Sequence, residues 1–304
     1  MPRLAWQPLR KKLGDTYRNT RWFIDWAVNE FPKSPSLELY GRVINRDNLK
    51  LTVSLIEAPV PAFAEYVAPY QGKDIPKILW IYWAQGEHEA PSLVRRCIAS
   101  WRSKNPDWTI NVMNQGNIGE FADLSALNPS TPLRLQADYA RLRLLEKFGG
   151  VWTDATTFCH CPLSDWMPLM GGQTGFFMFR GPYHDRWVDS WFIAANAGSD
   201  LVAAWAGAFS DYLRRVRPEP SMYFAVIYSL QWLLMRNKAL RLVFRASGGL
   251  PAVPAFYLQA YLEGRSGPEA FLKARQAGFP VSKLNWRLEI DDQELDVRLA
   301  KLDI

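Results

Sequence analysis

Between residues 77 and 113 the apolar pattern changes period twice, and each change marks an element. Lys77 to Trp83 (KILWIYW) is an almost continuous apolar run of strand length, the pattern of a strand buried on both faces. Ala84 to Ala90 is a loop with Gly86 and two acids, and Pro91 stands where a first helical position is expected. From Ser92 to Lys104, Leu93, Val94, Cys97, Ile98 and Trp101 recur at helical spacing. Asn105-Pro106 ends that helix, and Trp108 to Met113 reads as a second strand. This β-loop-α-β order opens an α/β sheet of the kind that binds nucleotides.

Leu133 to Phe148 has the strongest helical pattern in the chain, preceded by Pro132 and stopped by Gly149-Gly150. Val151 to Phe158 then reads as one strand, and Ser190 to Ala195 as another. Helices are predicted over Leu201 to Arg214, Tyr223 to Arg236 and Pro268 to Ala277, and the charged tail after Asp291 as an exposed helix. The pattern divides the chain into an accessory region (1–70), a central domain (71–290) and a tail (291–304). The accessory region is basic and partly helical, and Pro59 and Pro61 break regular structure before the central domain begins.

Composition narrows the class. Of the 304 residues, 48% are hydrophobic and 22% charged, which excludes a disordered chain, a collagen-like repeat and a disulfide scaffold. Fourteen Trp and sixteen Phe suit either a large core or a site that stacks flat rings. The net charge of +6 fits a phosphate-bearing substrate, a nucleic acid or an anionic membrane without choosing among them. Much of the excess lies in residues 1–21, where Arg3, Arg10, Lys11, Lys12, Arg18 and Arg21 face Asp15 alone. With Leu4, Leu9, Leu13 and Tyr17 as a loose stripe, that segment is either a peripheral membrane contact or a solvated basic face. No signal-peptide pattern is visible, and the apolar run Met222 to Met235 is too short to span a bilayer. Three cysteines suggest a reducing compartment, hence a cytoplasmic location.

The candidate chemistry gathers around the double glycine. Asp138 and Arg141 are one helical turn apart and share a face. If Thr153-Asp154-Ala155-Thr156 is extended, Asp154 and Thr156 project to one side. An acid at the C-terminal end of a strand in an open α/β sheet lies where such sheets bind ligands. A carboxylate there suits ribose hydroxyls or a divalent cation that neutralises a diphosphate. Each residue alone has a plainer reading, a surface ion pair for Asp138 and Arg141 or a turn cap for Asp154. Cys159-His160-Cys161 alternates across a strand and lacks a second pair, so it makes no zinc set. His88 and His184 fall in loops, and Trp191 reads as core.

The segments PKILWIYWAQG, APSLVRRCIASWRSKNPDW and QADYARLRLLEKFGGVWTDATTF together resemble the bacterial capsular polysaccharide synthesis protein family. The likeness is good over about residues 75–163, thins across 190–236 and returns at FPVSKLNWR. It implies a sugar transferase with the glycosyltransferase A-type fold, an open mixed sheet flanked by helices, kin to the DXD-sugar-binding-region transferases and the clostridial glucosylating toxins. The resemblance makes Trp83 the stacking partner of the nucleotide base, with Gln85 nearby. It gives Asp138 and Arg141 the donor's ribose and sugar hydroxyls, and makes Asp154 the first acid of a DXD-like motif, bridging ribose and a Mn or Mg ion. FPVSKLNWR resembles a closing loop in which Lys283 supplies positive charge to the diphosphate and Trp286 a hydrogen-bond donor. Asn196 is the candidate facing the acceptor.

The second acid of the motif is Thr156 here, a form that the family commonly carries, and a hydroxyl is a poorer ligand than a carboxylate for either ion. The implied reaction passes a sugar from a nucleotide-diphosphate donor to a surface polysaccharide or lipid-linked acceptor. Kinship with the toxins suggests retention at the anomeric carbon; inversion would need a further carboxylate, for which Asp185, Asp189 and Asp200 are candidates. The alternative is a catalytically silent subunit that binds nucleotide-sugars or glycans. Nucleic-acid binding is disfavoured, because the basic residues are scattered and the two acids would sit badly beside phosphates.

Overall fold

A computed structural model describes residues 74–304 apart from 172–173, 184–185, 216–222 and 289. The accessory region over 1–70 with its basic stripe, His184 and Asp185 therefore lie outside the described residues. Along the chain come β1 (Ile78–Tyr82), α1 (Ser92–Lys104), β2 (Thr109–Met113), the short α2 (Ile118–Phe121), α3 (Leu133–Phe148) and β3 (Gly150–Asp154). Then follow β4 (Thr157–Cys159), α4 (Leu163–Gly171), β5 (Phe176–Tyr183), β6 (Arg186–Ala195), α5 (Asp200–Arg215), α6 (Ala225–Arg236) and α7 (Lys238–Ala246). The chain closes with α8 (Tyr257–Leu262), α9 (Glu269–Gln276), β7 (Val281–Lys283) and α10 (Asp292–Ala300).

Five strands form an open mixed sheet in the order β2-β1-β3-β6-β5. β1 runs parallel to β2 and β3, whereas β6 is antiparallel to β3 and to β5. The chain leaves β1 toward β2 on one side and reaches β3 on the other. The crevice at the C-terminal ends of β1 and β3 is thus a topological switch point, where open α/β sheets bind ligands.

Strand alternation divides the core. Trp80, Trp152, Ile193 and Ala195 pack against α3, α5 and α6, while Leu79, Ile81, Val151, Phe192 and Ala194 face α1 and α4. Both faces are covered, which is why these strands read as unbroken apolar runs. Trp101, Trp152 and Trp205 are almost wholly buried, and each large apolar side chain so removed from water contributes roughly 1.5–3 kcal/mol.

The double glycine fixes where β3 enters the sheet. Gly149 and Gly150 have φ of +67° and +91°. A Cβ on Gly149 would stand 2.5 Å from the Ala197 nitrogen, and one on Gly150 would stand 2.4 Å from the Ile78 carbonyl oxygen. Only glycine satisfies both the backbone angle and the close approach. The Trp80 indole donates to the Gly149 carbonyl at 2.9 Å, tying the end of α3 to β1.

Two expectations need correction. The predicted strand over 151–158 is broken: β3 ends at Asp154, the chain turns, and β4 joins a separate two-stranded sheet with β7. The Thr157 hydroxyl donates to the Asp154 carbonyl at 2.7 Å, and the Trp101 indole donates to the Thr157 carbonyl at 2.9 Å. These bonds offer the backbone a turn in place of a ladder. The tail helix α10 is not exposed all round. Leu295, Leu299 and Leu302 pack with Leu93, Cys97, Leu258, Leu262, Phe271 and Leu284 in a third cluster.

Candidate active site

The register Tyr82↔Asp154 sets the end of β1 beside the end of β3, so Trp83 follows at the same sheet edge as Asp154. α3 brings Asp138 and Arg141 to that edge from within the core. Both are buried, at 4% and 7% exposure, so they are no surface pair. The third contributor is distant in sequence. β7 pairs antiparallel with β4 in the register Thr157↔Lys283, and the Leu284 amide donates to the Thr156 carbonyl at 2.8 Å. That pairing carries Lys283 to the turn that follows Asp154.

Asp154 is the hub. Its Oδ1 lies 3.7 Å from Arg141 Nη2 and accepts from the Trp152 indole at 3.4 Å, while its Oδ2 lies 3.4 Å from Lys283 Nζ. Lys283 also donates to the Thr156 hydroxyl and, at 3.3 Å, to the Leu284 carbonyl. Arg141 lies 2.9 Å from Asp138 Oδ1, donates to the Ser190 carbonyl at 2.6 Å and stands over the Trp152 ring at 5.0 Å. One guanidinium therefore serves both acids that the sequence singled out. Burial pushes the Asp138 carboxyl above its ordinary range, against the lowering pull of Arg141 and Arg134.

Trp83 and Trp286 meet edge to face, with centroids 5.8 Å apart and planes at 81°. Trp286 keeps 44% of its surface exposed, and Arg287 stands 4.9 Å over its ring. Gln85 is exposed on the turn beyond Trp83, with no hydrogen bond to the carboxylate network among the described residues. Asn196 is not brought to this site. It follows β6 at the end that pairs with Gly150, the opposite edge of the sheet from Asp154. There it is 3% exposed, donates to the Ala197 carbonyl at 2.8 Å and packs where a Cβ on Gly175 would fall. An acceptor cannot reach it from the Asp154 edge. Asp200 opens α5 beyond that same end.

Asp189 is the acid that sequence reasoning left undecided. It lies on β6 beyond the last residue paired with β3, beside Ser190, whose carbonyl holds Arg141. Burial pushes its carboxyl up to about 6, opposed by Arg186 and Lys283 and reinforced by Asp154. Trp191 is core, stacked on Phe179 at 4.5 Å. His160 is wedged between Phe158 and Phe271 with Nε2 2.8 Å from the Ser282 hydroxyl, and burial pushes its pKa down to about 3.

A divalent cation at Asp154 would need oxygen ligands that the protein has already committed. Both Asp154 oxygens face cations, and the Thr156 hydroxyl accepts from Lys283. Among the described residues no three His, Cys, Asp or Glu side chains come together to hold a metal. Asp154, with the Thr156 hydroxyl, would be the protein's share of a Mn or Mg site, whose remaining oxygens would come from substrate phosphates and water.

The fold is that of an α/β protein with a carboxylate–guanidinium–ammonium network at the switch point of its sheet. The chain belongs to the capsular polysaccharide synthesis protein family, whose model matches residues 64–301. It is 26% identical over 155 residues to the O-glycosyltransferase braB of Annulohypoxylon truncatum, covering 44% of this chain and 37% of that protein. It is 25% identical over 177 residues to the glycosyltransferase afumC of Aspergillus fumigatus, covering 51% of this chain and 45% of that protein. The chain thus matches less than half the length of either relative. A solved structure, the PaToxG glycosyltransferase, superposes with a TM-score of 0.40 at 15% identity, covering 84% of this chain and 93% of its own. Among the described residues no helix is long and apolar enough to cross a membrane.

Proposed function

We propose that the chain is a glycosyltransferase that moves a sugar from a nucleotide-diphosphate donor to a hydroxyl of a surface polysaccharide or lipid-linked glycan. The observation that carries this reading is the division of Asp154 between two cations, Lys283 on one oxygen and Arg141 on the other. In that arrangement Asp154 and Asp138 accept from sugar and ribose hydroxyls, while Lys283 faces the charge that grows on the departing diphosphate. Preorganised charge of this sort is the largest contribution to many transfer reactions. Trp83 offers a ring to the base, and Trp286, three residues beyond Lys283, closes over the diphosphate from the same segment. Family membership and relatives named as glycosyltransferases support the same class.

Purified protein incubated with a panel of nucleotide-sugars tests this directly. Release of nucleotide diphosphate from at least one donor, lost in Asp154→Asn, is the expected result. Thr156 in place of a second acid favours the other reading, a silent nucleotide-sugar-binding subunit. Donor binding without turnover by any member of the panel would establish that reading instead.

A further inference from the structure

Joined to Asp138 through Arg134 is a second aromatic surface that the donor reading leaves unused. Arg134 opens it: its Nη1 is 4.0 Å from Asp138 Oδ2 and donates to the Tyr223 carbonyl at 2.9 Å. The same guanidinium stands 5.1 Å over the Tyr223 ring. Phe224 meets Tyr223 edge-on with centroids 4.7 Å apart, and Arg186 lies 3.6 Å over the Phe224 ring. One arginine thus separates the Tyr223 ring from the buried Asp138 carboxylate. Tyr223 is 69% exposed, more than any other exposed large apolar or aromatic side chain described. A ring with one cation on its face and an aromatic neighbour set edge to face is held in place while much of its surface stays open.

We propose that the Tyr223 ring, backed by Phe224 and Arg134, is the platform that takes the face of a pyranose in the acceptor. The proposal rests on the glycosyltransferase reading and adds the acceptor's side of the site. The apolar C–H face of a pyranose stacks on an aromatic ring, the phenol offers a hydroxyl partner, and Arg134 links the platform to the sugar-binding acids. Trp83 and Trp286 pair with one another beside the Lys283 segment, and Tyr223 is joined to Asp138 through Arg134, so the proposal gives donor and acceptor separate aromatic surfaces.

Saturation-transfer NMR of the full chain with methyl β-glucopyranoside and methyl α-mannopyranoside tests the platform. Saturation of the pyranose ring protons is expected for at least one glycoside. Tyr223→Ala should weaken that binding about tenfold, the loss expected for one aromatic stack, and Tyr223→Phe should keep it within about threefold. No saturation of either glycoside, or equal binding by Tyr223→Ala, overturns the platform. Donor turnover by the wild-type chain is measured alongside. Turnover with an indifferent Tyr223 sinks the platform alone, and Tyr223-dependent glycoside binding without donor binding or turnover sinks the transferase reading alone.

Discussion

The Lys283 ammonium stands 3.4 Å from Asp154 Oδ2, held there by the pairing of β7 with β4 rather than by any neighbour in sequence. Because the ammonium also takes the Thr156 hydroxyl, it occupies the space between the two ends of the Asp-Ala-Thr motif. Under the proposed function, removing it leaves the diphosphate's charge unanswered. Lys283→Met should lower donor turnover ~10²–10³-fold, the scale seen when one preorganised charge partner is lost, and Lys283→Arg should recover part of it. The ion pair is partly exposed, so unfolding free energy should change by no more than about 1 kcal/mol. Nucleotide diphosphate release and thermal unfolding measure the two effects separately. Wild-type turnover in Lys283→Met would remove the ammonium from the chemistry.

The same contact bears on metal dependence. With both Asp154 oxygens and the Thr156 hydroxyl engaged by cationic side chains, the proposed function gives the charge on the diphosphate to Lys283. Excess chelator should leave wild-type turnover within about twofold, because Arg141 and Lys283 already hold the Asp154 oxygens through which a divalent cation would bind. Thr156→Asp with Lys283→Met should convert the site to one that Mn²⁺ activates. Loss of wild-type turnover on chelation, restored by Mn²⁺, would instead return the ion that the motif led one to expect.

Arg141 and Asp138 make a stability prediction independent of catalysis. Both are buried, and Arg141 is the nearest cation to Asp138. Arg141→Met strands a buried carboxylate and should cost about 3–5 kcal/mol, the usual penalty for breaking a buried pair from one side. Asp138→Asn, which keeps the shape and removes the charge, should cost less. Urea unfolding of the two variants compares them. An Arg141→Met protein within about 1 kcal/mol of wild type would mean that water or another cation serves Asp138.

Much of this arrangement was legible before any coordinates. β1, α1, β2 and α3 announce themselves through apolar runs, helical spacing and the proline and glycine punctuation around them. The double glycine carries a geometric necessity that its position after α3 already suggested. What stayed hidden depends on side-chain bonds or on contacts remote in sequence. Val151 to Phe158 is uniformly rich in β-branched and aromatic residues, and nothing local to it reveals that the Thr157 hydroxyl will capture the Asp154 carbonyl and end β3. β7 is only three residues long and is a strand because β4 is beside it. β5 is hidden in the sequence because Gly181 and Pro182 interrupt its pattern. Asn196 lies away from Asp154 because β6 runs antiparallel to β3, a direction that sequence order does not reveal.

Asp189 gives the structure a pH signature. Its carboxyl is pushed up to about 6, above the 3.8 of an exposed aspartate, chiefly by burial. The native state therefore holds this proton over a range in which the unfolded chain has released it. Its contribution to stability is complete below about pH 3.8 and is lost as the pH rises through about 6. A gap of about two pH units corresponds to about 3 kcal/mol. Asp189→Asn cannot ionise, so relative to wild type it should gain stability between pH 4 and pH 7 by up to that amount. Comparing the two pH values within each protein cancels any fixed cost of the substitution. Urea midpoints of both proteins at pH 4, 5, 6 and 7 provide the measurement. Parallel curves would mean that Asp189 keeps an ordinary carboxylate pKa in the fold, with Arg186 and Lys283 offsetting burial.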